Sequence, residues 1–192
     1  MQTKLLDETD RHARRQMEDP TLMYAYLIAA LAAAQGGSAA PAAAAPTPSP
    51  AAACAEAENR QFDFWVGRWD VYGPKGRLVA HSLIEKLYNG CGVRENWMPF
   101  NNQTGGSLNI YLPAEKHWEQ FWIDSGGSRA IFIGGWNGHA MVIQGKWGGP
   151  LVRISYTPNA DHSVRQYGEQ STDEGKTWAP SFDFTYRPAA GQ

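Results

Sequence analysis

The residues best suited to chemistry are three carboxylates, Glu85, Glu95 and Asp124, set in alternating stretches rich in Trp and Tyr rather than in charge runs. Two carboxylates facing one cavity can divide the roles of acid and base. Glycoside cleavage needs such a pair roughly 5 to 9.5 Å apart, and sequence spacing does not fix that distance for Glu85 and Glu95. The same groups can instead orient a bound molecule, since apolar walls carrying a few directional polar groups define a ligand site. On that reading the interior is lined by Glu85, Glu95, Trp97, Asn109, Tyr111, Trp118, Gln120, Trp122 and Asp124, with Arg153 and Glu169 as further candidates. A third reading pairs the carboxylates with Arg94, Arg153 or Arg165, because buried charges need partners. The interior is then plugged by side chains and the domain serves as an interaction module.

Other chemistries lack their residues. There is no serine nucleophile elbow, no HExxH and no phosphate loop. His81, His117, His139 and His162 are dispersed, without the spacing of a metal site. No catalytic residue, metal or cofactor is assigned. A formal charge of −2 with scattered Lys and Arg gives no electrostatic footprint for nucleic acid.

Residue parity within strands must position the candidates, and the chain from Phe62 onward reads as strands only. Predicted strands cover 62–72, 77–87, 92–99, 107–113, 117–124, 129–135, 139–146, 151–157, 163–170 and 177–187. They are separated by short Gly, Asn, Pro and Asp clusters, the pattern of a meander and not of βαβ units. Asn137-Gly138 is the sharpest hairpin signal and predicts a type I′ turn. Eight Trp, eight Tyr and seven Phe in 192 residues suit a well-packed β domain. Ten antiparallel strands laid flat would leave two exposed edges, which closure into a barrel removes. The fold class is therefore all-β, an antiparallel meander closed into a barrel of about ten strands. Alternation sorts each strand into two faces, but leaves open which face is inside.

Ser171-Thr172-Asp173-Glu174-Gly175-Lys176-Thr177-Trp178 has the Asp-box pattern Ser-x-Asp-x-Gly-x-Thr-Trp. One copy argues for a structural turn and against a propeller.

The first part of the chain has another character. A basic segment with Arg11, Arg14 and Arg15 precedes an apolar run, Leu22 to Ala34, and then small residues. The run is shorter than the ~20 residues of a membrane-spanning helix, so no stable membrane span is expected. The layout is that of a secretory signal, with two oddities. Glu18 and Asp19 lie between the arginines and the apolar run, and the segment before that run is long, which a translation start at Met17 or Met23 would shorten. The alternative is an Ala-rich helix of the mature chain. Residues 1–40 form the signal region, 41–53 an Ala/Pro-rich linker, 54–188 the barrel and 189–192 a tail. Export would place the protein in the periplasm or outside the cell. In that setting Cys54 and Cys91, the only two cysteines, most simply form a disulfide, two buried thiols being the alternative.

Gly67-x-Trp69 on the first strand and Arg187 on the last resemble the closing signature of the lipocalin-like (calycin) superfamily. That resemblance implies Trp69 packed under Arg187, a cation–π contact sealing the barrel. Further blocks, Phe62 to Val71, Ile84-Glu85, Gly90 to Trp97, Gly106 to Tyr111, Trp118 to Asp124 and Gly175 to Trp178, occur in one order. The series resembles a family of bacterial exported proteins of unknown function with a lipocalin-like barrel, over about 54–188. It implies a fold and export, and no catalytic residues. A haem-binding barrel of the nitrobindin type would have its own glycine–tryptophan signature, which Gly67 to Gly73 matches only in part. The resulting expectation is an exported barrel holding a small, partly polar organic ligand without catalysis. The alternative is an enzyme using Glu85, Glu95 or Asp124 as acid or base. Oligomeric state is left open.

Overall fold

The computed structural model describes residues 54–190; the predicted signal region (1–40) and the predicted linker (41–53) lie outside the described residues. Ten strands follow one another as β1 (Gly67–Tyr72), β2 (Leu78–Leu87), β3 (Gly92–Pro99), β4 (Gly105–Leu112), β5 (His117–Asp124), β6 (Arg129–Trp136), β7 (Met141–Lys146), β8 (Leu151–Pro158), β9 (Val164–Ser171) and β10 (Ala179–Pro188). Each pairs antiparallel with its sequence neighbours, and β1 also pairs with β10, closing the sheet. Closure satisfies every edge. Among the described residues no helix is long and apolar enough to cross a membrane.

The opening stretch differs from expectation. Strand β1 begins at Gly67, and residues 57–65 form two short 3₁₀ turns, Ala57–Arg60 and Asp63–Trp65. In a 3₁₀ turn residues three apart eclipse, which brings Phe62 and Trp65 onto one face. Their rings stack at 4.9 Å and both are buried. Phe62 meets Trp118 and Tyr156, and Trp65 meets Tyr156 and Tyr186. The segment thus caps one end of the barrel. It is fastened by Lys86, which donates to the Asn59 carbonyl at 3.0 Å and binds Asp63, and by Trp118 Nε1, which donates to Gln61 at 3.2 Å. The Cys54–Cys91 disulfide joins the start of the cap to the β2–β3 connection at the same end.

Gly67 has φ +152°, which disfavours a side chain and lets the chain turn from cap into strand. Trp69 points inward, donating to the Trp65 carbonyl at 2.8 Å and meeting Tyr186 edge-on. It does not pack under Arg187. In register Arg187 faces Asp70 while Trp69 faces Pro188, so parity sends the arginine out and the tryptophan in. The Arg187 guanidinium instead lies over Tyr72, 5.3 Å from the ring centroid.

Two turns show how polar side chains stand in for backbone bonds. At Asn137-Gly138 only the glycine has positive φ, so the turn is not type I′. Asn137 Oδ1 accepts from the amides of His139 and Ala140 at 2.9 and 2.8 Å, an Asx-type arrangement. In the Asp-box turn Asp173 accepts from the Thr177 side chain (2.6 Å), from its amide (2.8 Å) and from Ser171 (2.7 Å). These bonds, that from the Thr177 hydroxyl foremost, hold its carboxyl down to about 2. Trp178 donates to the Gly175 carbonyl at 3.1 Å and lies under Arg153. The pattern is a structural turn here.

Candidate ligand cavity

Parity on β3, β4 and β5 turns Glu95, Ser107, Asn109, Trp118 and Gln120 inward, all nearly inaccessible to solvent. Above the cap these strands meet Tyr156 of β8, Gln166 of β9 and Tyr186 of β10. The side chains join in a closed ring of hydrogen bonds. Asn109 donates to Ser107 (3.1 Å) and Ser107 to Glu95 Oε2 (3.3 Å). On the other carboxylate oxygen Tyr186 donates to Glu95 Oε1 (3.2 Å), and its hydroxyl also approaches Gln166 Oε1 (2.9 Å). Gln166 and Gln120 both donate to the Tyr156 hydroxyl at 3.1 Å, and Gln120 returns to Asn109 Oδ1 at 2.8 Å. Ser82 of β2 adds a third donor to Glu95 at 3.3 Å. A buried polar group is tolerated when so satisfied.

Electrostatics follow from burial. Desolvation pushes the Glu95 carboxyl up to about 7, against the hydrogen bonds from Tyr186, Ser107 and Ser82, which pull it down. Burial, and then the neighbouring Glu95, raise both Tyr156 and Tyr186, so both stay neutral phenols.

On the side of this polar layer away from the cap lies a cavity of about 760 Å³. Its floor is Glu95, Gln120, Tyr156, Gln166 and Tyr186. Its walls are largely aromatic, Trp97, Trp122, Phe132, Trp147, Phe182 and Phe184. Trp97 lies 5.6 Å from Phe184 and 6.3 Å from Tyr186 between ring centroids, and Trp122 lies 6.0 Å from Trp147. Phe182 reaches the wall because it crosses Gly168, where a Cβ would lie 2.3 Å from its ring. The mouth is edged by Arg77, Leu78, Phe100, Asn101 and Gln103 from the β1–β2 and β3–β4 connections.

The sequence candidates divide by place. Glu95, Trp97, Gln120, Trp122 and Asp124 line the cavity. Asn109 lies behind Gln120, with its amide spent on the Val93 carbonyl and Ser107; it positions the floor. Trp118 and Tyr111 lie together toward the cap, their ring centroids 6.1 Å apart, and Trp118 packs on Phe62 there. Neither lines the cavity.

Glu85 faces outward, opposite Arg94 in register, and forms an ion pair with it. Its neighbour Ile84 occupies the inner face instead, so Glu85 and Glu95 do not form an acid–base pair. Arg153 and Glu169 also lie on the outer face, paired at 2.8 Å, because the inner positions of β8 and β9 are Val152, Ile154, Gln166 and Gly168. Asp124 stands at the mouth as a turn cap. It accepts from Trp122 Nε1 at 3.2 Å, from the Gly126 amide at 2.9 Å and from Ser128. The Ser128 hydroxyl is the first cause holding its carboxyl below the usual range, ahead of the bond from Trp122. Ser128 in turn accepts from Trp147 Nε1 at 3.2 Å. Asp124 therefore orients two wall tryptophans.

Sequence reading missed Ser82, Tyr156, Gln166 and Tyr186. Gln166 carried a signal, a lone amide between Val164 and Gly168 on a face of otherwise apolar or small residues. Among the described residues no group of three or more His, Cys, Asp or Glu gathers to hold a metal. Fold and site together define a closed ten-stranded antiparallel β-barrel, capped at one end and hollow at the other. No family model matches the chain, and no curated protein matches it.

Proposed function

We propose that this barrel binds a small, partly polar organic molecule in its interior without catalysing its conversion. The observation that carries the reading is the cavity of about 760 Å³, with aromatic walls over a hydrogen-bonded polar floor. That volume lies within the range of about 300–1,000 Å³ typical of small-molecule sites. A floor locked in a ring of hydrogen bonds is preorganised, which reduces the ordering cost of binding. The enzymatic alternative has less support. Glu85 is outside, and Asp124 is committed to its turn, which leaves Glu95 without a second carboxylate.

The test is titration with N-phenyl-1-naphthylamine, a neutral apolar dye that brightens when removed from water. Saturable binding at one dye per barrel is expected, and Ile154→Trp, which fills the cavity from its wall, should weaken it at least tenfold. Absence of saturable binding to the native barrel overturns the reading.

Export belongs to the same proposal. It is supported by the Cys54–Cys91 bond and by the basic-then-apolar order of the first forty residues. The resemblance to exported lipocalin-like proteins points the same way. N-terminal sequencing of protein recovered from its native compartment is expected to give a chain beginning near residues 39–40; a chain retaining Leu22–Ala34 would refute export by a cleaved signal.

A further inference from the structure

Within the cavity one feature is costly for a merely structural role. Glu95 is a carboxylate with three hydroxyl donors and, among the described residues, no cation partner. Facing it are Ser82 from β2, Ser107 from β4 and Tyr186 from β10, with Tyr156 of β8 and Gln166 of β9 next in the ring. None of these carries a positive charge. Among the described residues lining the cavity the one basic side chain is Arg77, exposed at the mouth. A glutamine at 95 would complete the same ring without burying a charge. A buried carboxyl group is either kept protonated or, where it ionises, paired with a cation, and here the place for a cation opens onto the cavity.

The surroundings suit a cation with an apolar body. Trp97, two residues along the same inner face of β3, and Phe184 and Tyr186 of β10 put aromatic rings beside the carboxylate, and ring faces attract ammonium groups. Both hydrogens of Gln120 are spent within the ring, on Asn109 and Tyr156. Its Oε1 takes no part in the ring, and Gln120 lines the floor.

We infer that the cavity selects a primary amine carried on an aromatic body, its ammonium seated on Glu95 and Gln120 Oε1 and its ring among the wall aromatics. This rests on the cavity reading above and narrows it to one ligand class. No bond is made or broken.

The probes are tryptamine, tryptophol and indole-3-acetate, which share an indole and differ in ending as cation, alcohol or anion. Each is measured by displacement of N-phenyl-1-naphthylamine from the full barrel at pH 8. Tryptamine is expected to bind at least tenfold more tightly than tryptophol, with indole-3-acetate weakest. In Glu95→Gln the tryptamine-to-tryptophol ratio should collapse to about one.

A second measurement on the native protein does not depend on that variant folding. From pH 6 to 8 the amine stays charged while Glu95 passes through about 7. Affinity for tryptamine should therefore rise about tenfold, and that for tryptophol should not. Equal binding of amine and alcohol, or preference for the acid, overturns the inference and leaves the cavity reading standing. Failure of the dye and of all three probes overturns both.

Discussion

Replacing Cys54 and Cys91 by serine is expected to destabilise the barrel by about 4 kcal/mol, the chain-entropy value for freeing a loop of this length. The two residues are 37 apart in sequence, and the intervening chain contains the cap, β1 and all of β2. Without the bond the unfolded chain gains the freedom of that loop. The native barrel keeps the other fastenings of its cap, Lys86 on Asn59 and Asp63 and Trp118 on Gln61. The effect should thus appear as a cooperative fall in the unfolding midpoint of roughly 10–20 °C, not as a separate melting of the cap. Thermal unfolding followed by circular dichroism checks this, with the native protein under strong reductant expected to match the double variant. A loss below about 1 kcal/mol would mean that the loop is already constrained in the unfolded chain.

The strands were legible because each hairpin is short and its turn is written in Gly, Asn, Pro or Asp. Predicted and observed ranges for β2, β3 and β5 differ by no more than one residue. Residues 62–66 were misread because Phe62, Phe64, Trp65 and Val66 look like strand residues one by one. Their aromatic mass is buried against Tyr156 and Tyr186 from the far side of the sheet, and that tertiary demand overrides local preference. The spacing of three between Phe62 and Trp65 was the available clue.

The inner face could not be chosen by hydrophobicity. On the outside of the barrel Leu108, Phe121 and Ile131 lie opposite one another across β4, β5 and β6, and all are exposed. The inside of β4 and β5 carries Ser107, Asn109 and Gln120. Polarity is inverted there because the interior polar groups satisfy one another, which no residue-by-residue scale records. The partnership of Glu95 with Tyr186 joins residues 91 apart in sequence. It exists only because β1 brings β2 and β10 together.

Glu95→Gln is expected to make the protein more stable above neutral pH. The carboxyl's ordinary value is 4.5, and in the folded barrel it is pushed up to about 7. Between those values the native state holds a proton that the unfolded chain has released, so stability falls as pH rises through the window. Below about 4.5 both states are protonated and the residue costs nothing. Above about 7 both are ionised and the full cost, about 3 kcal/mol, is present. Glutamine does not titrate; with its oxygen in the place of Oε1 it accepts from Ser82 and Tyr186, and its amide in the place of Oε2 donates to the Ser107 hydroxyl. Urea unfolding of both proteins at pH 5 and pH 8 isolates the residue, since every other titrating group is common to the pair. The native protein should lose about 2–3 kcal/mol more than the variant between the two pH values. Parallel profiles would show that Glu95 ionises as readily folded as unfolded, contrary to its burial. The same pair at pH 8 links stability to ligand class: a saturating amine binds only the folded form. Tryptamine should therefore recover stability in the native protein and recover much less in the variant, whereas a carboxylate kept only for structure would give the two proteins the same response.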